Sequence, residues 1–248
     1  MNIEIKYLLI FFFSFLLIFS LSCSPTGKTT SQNQDKEIYL EPPRYGKTAM
    51  NLFAISVDTP YVIGVNINGK ELYIKVPKNH TLMASELLTA LIVYTGENWS
   101  YISYWDEKEQ RYKGYPAKEI LGEKLRDFEI KPGIPYFLYA PVNANFTFFG
   151  PLLKPITYEL KIAPNPFGTM TGYNYIQLPI WTSYTKASQL CNDPQLKGKL
   201  KRIEYWDVNE QRHKLLVICP PRPGEDKPLK PGKIYRFVMI EETNWTQK

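Results

Sequence analysis

The chain has 248 residues, of which 44% are hydrophobic, 22% charged and 15% aromatic; this suits one or two compact domains and excludes a disordered or collagen-like chain. With 3 cysteines and 2 histidines it is neither a disulfide-stapled miniprotein nor a zinc ribbon nor a His-rich metal enzyme. The formal net charge of +6 comes from scattered basic residues, densest at Lys197, Lys199, Lys201 and Arg202, and reads as a solvated face or as attraction to anionic lipid or cell-wall polymer.

Residues 7–21, YLLIFFFSFLLIFSL, form an uncharged run of 15 behind Lys6. That is the length of a secretory h-region and short of the roughly 20 residues that span a bilayer. Small residues and a cysteine, Ser22-Cys23-Ser24, close the run. The junction resembles the lipobox of bacterial lipoproteins, with Ser20 standing where that family prefers Leu. The resemblance implies that residues 1–22 are a cleaved signal peptide and that Cys23 becomes an acylated N-terminus, palmitate being one such acyl group. The lipid then holds the chain to a membrane on the extracytoplasmic side, at an outer membrane or the cell surface, where nucleic acid is not an expected partner. The other account of Cys23 is a buried thiol at the end of an uncleaved signal anchor, which also leaves the folded part outside the cytoplasm. Residues 23–37 carry no large apolar side chain, cannot offset their ordering entropy, and read as a flexible tether. In such a compartment Cys191 and Cys219 are candidates for a disulfide, with two buried free thiols as the alternative.

Beyond the tether the chain repeats itself. Ile102–Lys113, ISYWDEKEQRYK, and Ile203–Lys214, IEYWDVNEQRHK, agree in register at a shift of 101. Ile130–Tyr136, IKPGIPY, matches Leu229–Tyr235, LKPGKIY, at a shift of 99, and Ala84–Leu87 matches Ala187–Leu190 at 103. Asn51–Ile55 lines up with Asn174–Leu178 at 123, so an insertion of about 20 residues lies in the first copy. With 18 Tyr, 13 Phe and 5 Trp, strands are favoured over helices.

In chain order, each copy is expected to run strand, helix, strand, hairpin, strand, closing strand. The insertion reads as a hairpin, Tyr61–Val65 and Glu71–Val76, around an Asn68-Gly69 turn. Leu82–Tyr94 is apolar at Leu87, Leu88, Leu91 and Ile92, one helical face, with Ser85 or Thr81 as N-cap; Lys186–Cys191 is its shorter counterpart. Tyr104-Trp105-Asp106 and Tyr205-Trp206-Asp207 lead into polar turns, and Lys-Pro-Gly then starts the strands Tyr136–Pro141 and Tyr235–Ile240.

Asn with alternating apolar residues, a short helix, an aromatic-Asp strand end and Pro-Gly-x-x-Tyr at this spacing resemble a module repeated in tandem on surface and exported proteins of bacteria and archaea. Its pieces are W-N-L-I-S-L-P, S-V-W-A-Y-D and P-G-K-G-Y-W. The counterparts are Met50–Val57 and Tyr173–Ile180, Ser103–Asp106 and Glu204–Asp207, and Pro132–Phe137 and Pro231–Arg236; both leading Trp residues are absent, and Pro135 or Ile234 replaces the second Gly. The resemblance implies an exported modular protein and no reaction.

Strand alternation sends Ile102, Tyr104, Ile203 and Tyr205 to the core, which leaves Trp105 and Trp206 on the opposite face with Ser103 and Glu204. There each Trp either stacks on a sugar ring or covers its cross-strand neighbour, Tyr112 or His213. His80 and His213 lack Cys, Asp or Glu at ligand spacing, no Gly-x-Ser-x-Gly elbow occurs, and Asp106-Glu107 and Glu225-Asp226 read as solvated turn charge. The sequence thus predicts an α+β fold of two tandem β-rich modules, 38–152 and 153–248, each an antiparallel sheet with one short helix. It reads as a non-catalytic, membrane-anchored lipoprotein of the cell envelope, without metal or cofactor, that serves as a structural or interaction module toward an envelope protein or glycan. The alternative is a carbohydrate- or peptidoglycan-binding lipoprotein that uses Trp105 and Trp206.

Overall fold

The computed structural model describes residues 36–40, 49–58, 62–67, 70–77, 79–99, 101–116, 127–142, 144–165 and 167–248. The expected signal peptide, Cys23, nearly all of the expected tether and the expected Asn68-Gly69 turn lie outside the described residues. In chain order the strands and helices are β1 (Lys36–Leu40), β2 (Ala49–Ala54), β3 (Val62–Ile67), β4 (Lys70–Lys75), α1 (Ala84–Thr95), β5 (Tyr101–Asp106), β6 (Arg111–Pro116), β7 (Pro135–Ala140), β8 (Ala144–Phe149), β9 (Thr157–Leu160), β10 (Ala163–Pro164), β11 (Met170–Thr171), β12 (Tyr173–Gln177), α2 (Ala187–Cys191), β13 (Leu200–Asp207), β14 (Arg212–Ile218), β15 (Ile234–Met239) and β16 (Thr243–Thr246). The fold is β-rich, with two helices among the described residues and antiparallel sheets throughout.

Two four-stranded sheets carry the architecture. One has the order β2-β7-β5-β6 and the other β12-β15-β13-β14, so in each the last strand is inserted between the first strand and the hairpin. Behind the first sheet lies a second four-stranded sheet, β1-β8-β3-β4, in which the predicted hairpin β3-β4 extends the β1-β8 pair. Behind the second lies only the pair β9-β16. Two apolar cores result. The first gathers Ile63, Val65, Leu87, Leu91, Ile102, Leu138 and Phe146, and the second Leu160, Ile176, Leu190, Ile203, Phe237 and Trp245. Ile102 and Ile203 are fully buried and Tyr104 and Tyr205 pack against these cores, as period-two alternation requires.

The helix starts differ from the expected caps. Met83 occupies the N-cap of α1, and its backbone N–H donates to Glu86 Oε2 at 2.9 Å, while Ser85 N–H donates to Asp127 Oδ1 at 3.0 Å. In α2, Lys186 N–H donates to Gln189 Oε1 at 2.9 Å and Ser188 N–H to Asp226 Oδ1 at 2.9 Å. A carboxylate brought in from a distant loop thus satisfies the free amides, which local sequence cannot announce. Glu225-Asp226 is therefore not simply solvated charge: Ser188 holds the Asp226 carboxyl below its usual range, its side-chain hydroxyl donating at 2.7 Å. After Lys-Pro-Gly, with Gly133 and Gly232 at φ 73° and 72°, Tyr136 and Tyr235 each accept the N–H of the lysine five residues back, at 2.8 and 2.9 Å. Cys191 at the end of α2 is joined by a disulfide to Cys219, Cα to Cα 5.3 Å.

Candidate functional site between the two halves

The faces carrying Trp105 and Trp206 meet each other. In the first hairpin Trp105 lies across from Tyr112, rings 4.8 Å apart, and in the second Trp206 lies across from His213 at 4.9 Å. Both indoles are half-buried, and each donates its N–H to the other half: Trp105 Nε1 to the Tyr173 carbonyl at 2.7 Å and Trp206 Nε1 to the Met50 carbonyl at 2.9 Å. Met50 and Tyr173 sit on the edge strands β2 and β12, whose outward backbone groups would otherwise be open.

A glutamine completes each contact. Gln110 and Gln211 turn the hairpins at φ 47° and 51°, a left-handed conformation uncommon for a residue with a side chain. The Gln110 side-chain oxygen accepts Tyr173 N–H at 2.9 Å while its amide donates to the Tyr173 carbonyl at 3.1 Å, so the carboxamide pairs with the edge residue as a neighbouring strand would. Gln211 accepts Met50 N–H at 2.9 Å and donates to the Met50 carbonyl at 3.4 Å. Gln110 is 1% exposed. Gln110→Ala leaves the Tyr173 amide without its partner, and a loss of about 2 kcal/mol in urea unfolding is expected.

Between these two latches the sheets share a ring cluster. Phe137 is 5.3 Å from Tyr112, 5.5 Å from Tyr175 and 5.3 Å from Trp206, all edge-on. The Tyr175 hydroxyl lies 2.7 Å from the Tyr112 hydroxyl and 2.9 Å from His213 Nε2. Burial and the positive charge of Arg236 hold the His213 imidazole down to about 4. Glu204, 7% exposed, pairs with Arg202 Nε and Arg236 Nε, both at 2.6 Å; burial works against its charge, yet the two guanidiniums keep its carboxyl below the usual range. Arg236 also lies 4.4 Å over the Tyr173 ring.

Two recesses open beside this seam. One, of about 250 Å³, is lined by Trp105, Gln110, Arg111, Tyr112, Asn165, Phe167, Thr171 and Tyr173. Its rings are accessible: Tyr112 is 44% and Phe167 92% exposed. The Phe167 loop is held by Asn165 Oδ1, which accepts the amides of Phe167 and Thr169 at 3.0 Å. The other, of about 200 Å³, is lined mainly by Ile134, Ile156, Tyr158, Leu160 and Ile176, with Glu107 among them. Burial lifts the Glu107 carboxyl to about 7, which corrects its reading as solvated turn charge. Of the histidines, His80 meets Glu86 at 2.9 Å with both groups exposed, and His213 faces Tyr175. Among the described residues no three His, Cys, Asp or Glu side chains converge as metal ligands, and no helix is long and apolar enough to cross a membrane.

The seam is partly legible in the sequence, since Trp, Asp, Glu, Gln and Arg recur in register in both hairpins, but a turn Gln has no intrinsic structural role that would mark it as a latch. No family model, no curated protein and no solved structure matches the chain.

Proposed function

We propose that the chain is an exported, lipid-anchored, non-catalytic protein of the cell envelope, built from two copies of one α+β module and acting as a rigid structural or interaction component. The observation that carries this reading is the reciprocal latch. Residues identical in the two copies, Trp105 with Gln110 and Trp206 with Gln211, grip each other's edge strand. Duplication of a module is supported by the repeated motifs together with the equal strand order of the two sheets. Export is supported by the lipobox-like junction at Cys23, and the Cys191–Cys219 bond suits an oxidising compartment. Cys23→Ala is expected to abolish incorporation of labelled palmitate and to move the protein from the membrane to the soluble fraction. Unchanged labelling would sink the anchor assignment.

A second reading, glycan binding, is favoured by one feature, the recess beside Trp105 with its exposed Tyr112 and Phe167. Stacking of a sugar ring there should change indole fluorescence, and Phe167→Ala together with Tyr112→Ala should abolish that change. A fluorescence response that survives both substitutions would exclude this recess as the sugar site.

A further inference from the structure

Glu107 occupies a position that the hairpin does not need to be acidic. Val208 stands at the same place in the second hairpin, one of four positions at which the twelve-residue stretches Ile102–Lys113 and Ile203–Lys214 differ. Both follow an aspartate that organises the turn: Asp106 Oδ1 accepts the amides of Lys108 and Glu109 at 3.0 and 2.9 Å, and Asp207 Oδ1 those of Asn209 and Glu210 at 3.0 Å. The turn is therefore built without the side chain at 107 or 208. Glu107 instead lines the recess of about 200 Å³ whose apolar wall is Ile134, Ile156, Leu160 and Ile176 and whose lining also includes Lys108, Glu159, Lys161 and Asn174.

No cation reaches its carboxyl among the described residues. Its favourable contact is its own backbone N–H, and the Asp106 charge adds to the cost of ionisation. The surrounding charges are engaged elsewhere. Asp106 pairs with Lys113 at 2.6 Å, and Lys161 lies between Glu159 at 3.7 Å and Glu242 at 3.5 Å. Lys108, also on the lining, is exposed to solvent, and Tyr158 hydrogen-bonds the Gly133 carbonyl at 3.0 Å. An acidic group in an apolar recess without a counter-ion is an arrangement that a bound cation completes.

We infer that this recess binds a small organic ammonium compound, with the charged nitrogen on Glu107 and an apolar body against the isoleucines. A cavity of about 150 Å³ takes one benzene ring, so the recess here has room for a ring with an aminomethyl group. Because the carboxyl is largely protonated below neutrality, the ammonium must displace that proton, and affinity rises as pH rises toward 8.

The test is calorimetric titration of the whole chain with benzylamine and with benzyl alcohol, its neutral counterpart, at pH 6 and pH 8. Benzylamine is expected to bind at least about tenfold more tightly than the alcohol at pH 8, with most of that advantage gone at pH 6. Glu107→Gln should erase the advantage and leave alcohol binding unchanged, which also shows the recess intact. Glu107→Val, the residue of the second hairpin, should do the same to the amine. Equal affinities for amine and alcohol in the unmodified protein, an advantage that persists in Glu107→Gln, or no saturable binding of the amine would each overturn the assignment.

Discussion

Trp206→Ala is expected to lower the unfolding free energy by about 3 kcal/mol and the melting temperature by roughly 6 to 12 °C. The indole is half-buried, so the value belongs at the lower end of the usual range for a truncated Trp. It loses ring contact with His213 and Phe137, and the Met50 carbonyl loses its 2.9 Å donor. Trp206→Phe keeps the ring and removes only the donor, and should cost about 1 kcal/mol. Trp105→Ala should behave alike, since Trp105 packs on Tyr112, Tyr173 and Tyr175 and donates to the Tyr173 carbonyl. The double variant is expected to cost less than the two single losses combined, because both latches close the same seam and breaking one weakens what the other can hold. Its urea transition should also broaden or divide as the halves unfold separately. A Trp206→Ala protein as stable as the parent would show that the latch does not hold the halves together.

Strand alternation was enough to put Ile102, Tyr104, Ile203 and Tyr205 on core faces, because a period of two is a local property of the backbone. The same pattern turned Trp105 and Trp206 away from those cores but could not say what lay over them. That depends on a long-range pairing of edge strand with hairpin tip, across separations of 68 and 156 residues. The glutamines are subtler still. At a positive φ in a polar turn, Gln110 and Gln211 offer no periodic or capping signal, and only their recurrence in both hairpins marks them. The helix N-termini failed for a related reason. Ser85 looked like a cap by its type, whereas its amide is satisfied by Asp127, which comes from the loop before β7. Glu107 reads as solvated charge because turn residues usually are; that Val208 replaces it in the second hairpin shows only that the turn does not need an acid there. The site is thus a product of contacts between elements that are each simple to read alone.

Glu107 and His213 should give stability two opposing pH dependences that offset one another between pH 4.5 and 6.5, and replacing either group exposes the other. Glu107 ionises near 7 in the folded chain against an ordinary 4.5, so its favourable, protonated state is fully retained below 4.5 and stability falls as pH rises through 7. His213 ionises near 4 against an ordinary 6.5, so its neutral state supports folding above 6.5 and stability falls as pH drops toward 4. Each displacement corresponds to about 3 kcal/mol, and between 4.5 and 6.5 the two slopes oppose one another. Glu107→Gln removes one of them: the variant should exceed the parent by about 2 to 3 kcal/mol at pH 8 and by almost nothing at pH 4.5. His213→Phe removes the other, at the cost of the bond to Tyr175, and its stability relative to the parent should improve steadily as pH falls from 6.5 toward 4. Unfolding both variants in urea across this range separates the contributions, since paired carboxylates that do not interact with either group, such as Asp193, are common to all three proteins and drop out of the differences. A Glu107→Gln difference that does not change between pH 4.5 and pH 8 would place the carboxyl in water and remove the desolvation on which this prediction depends.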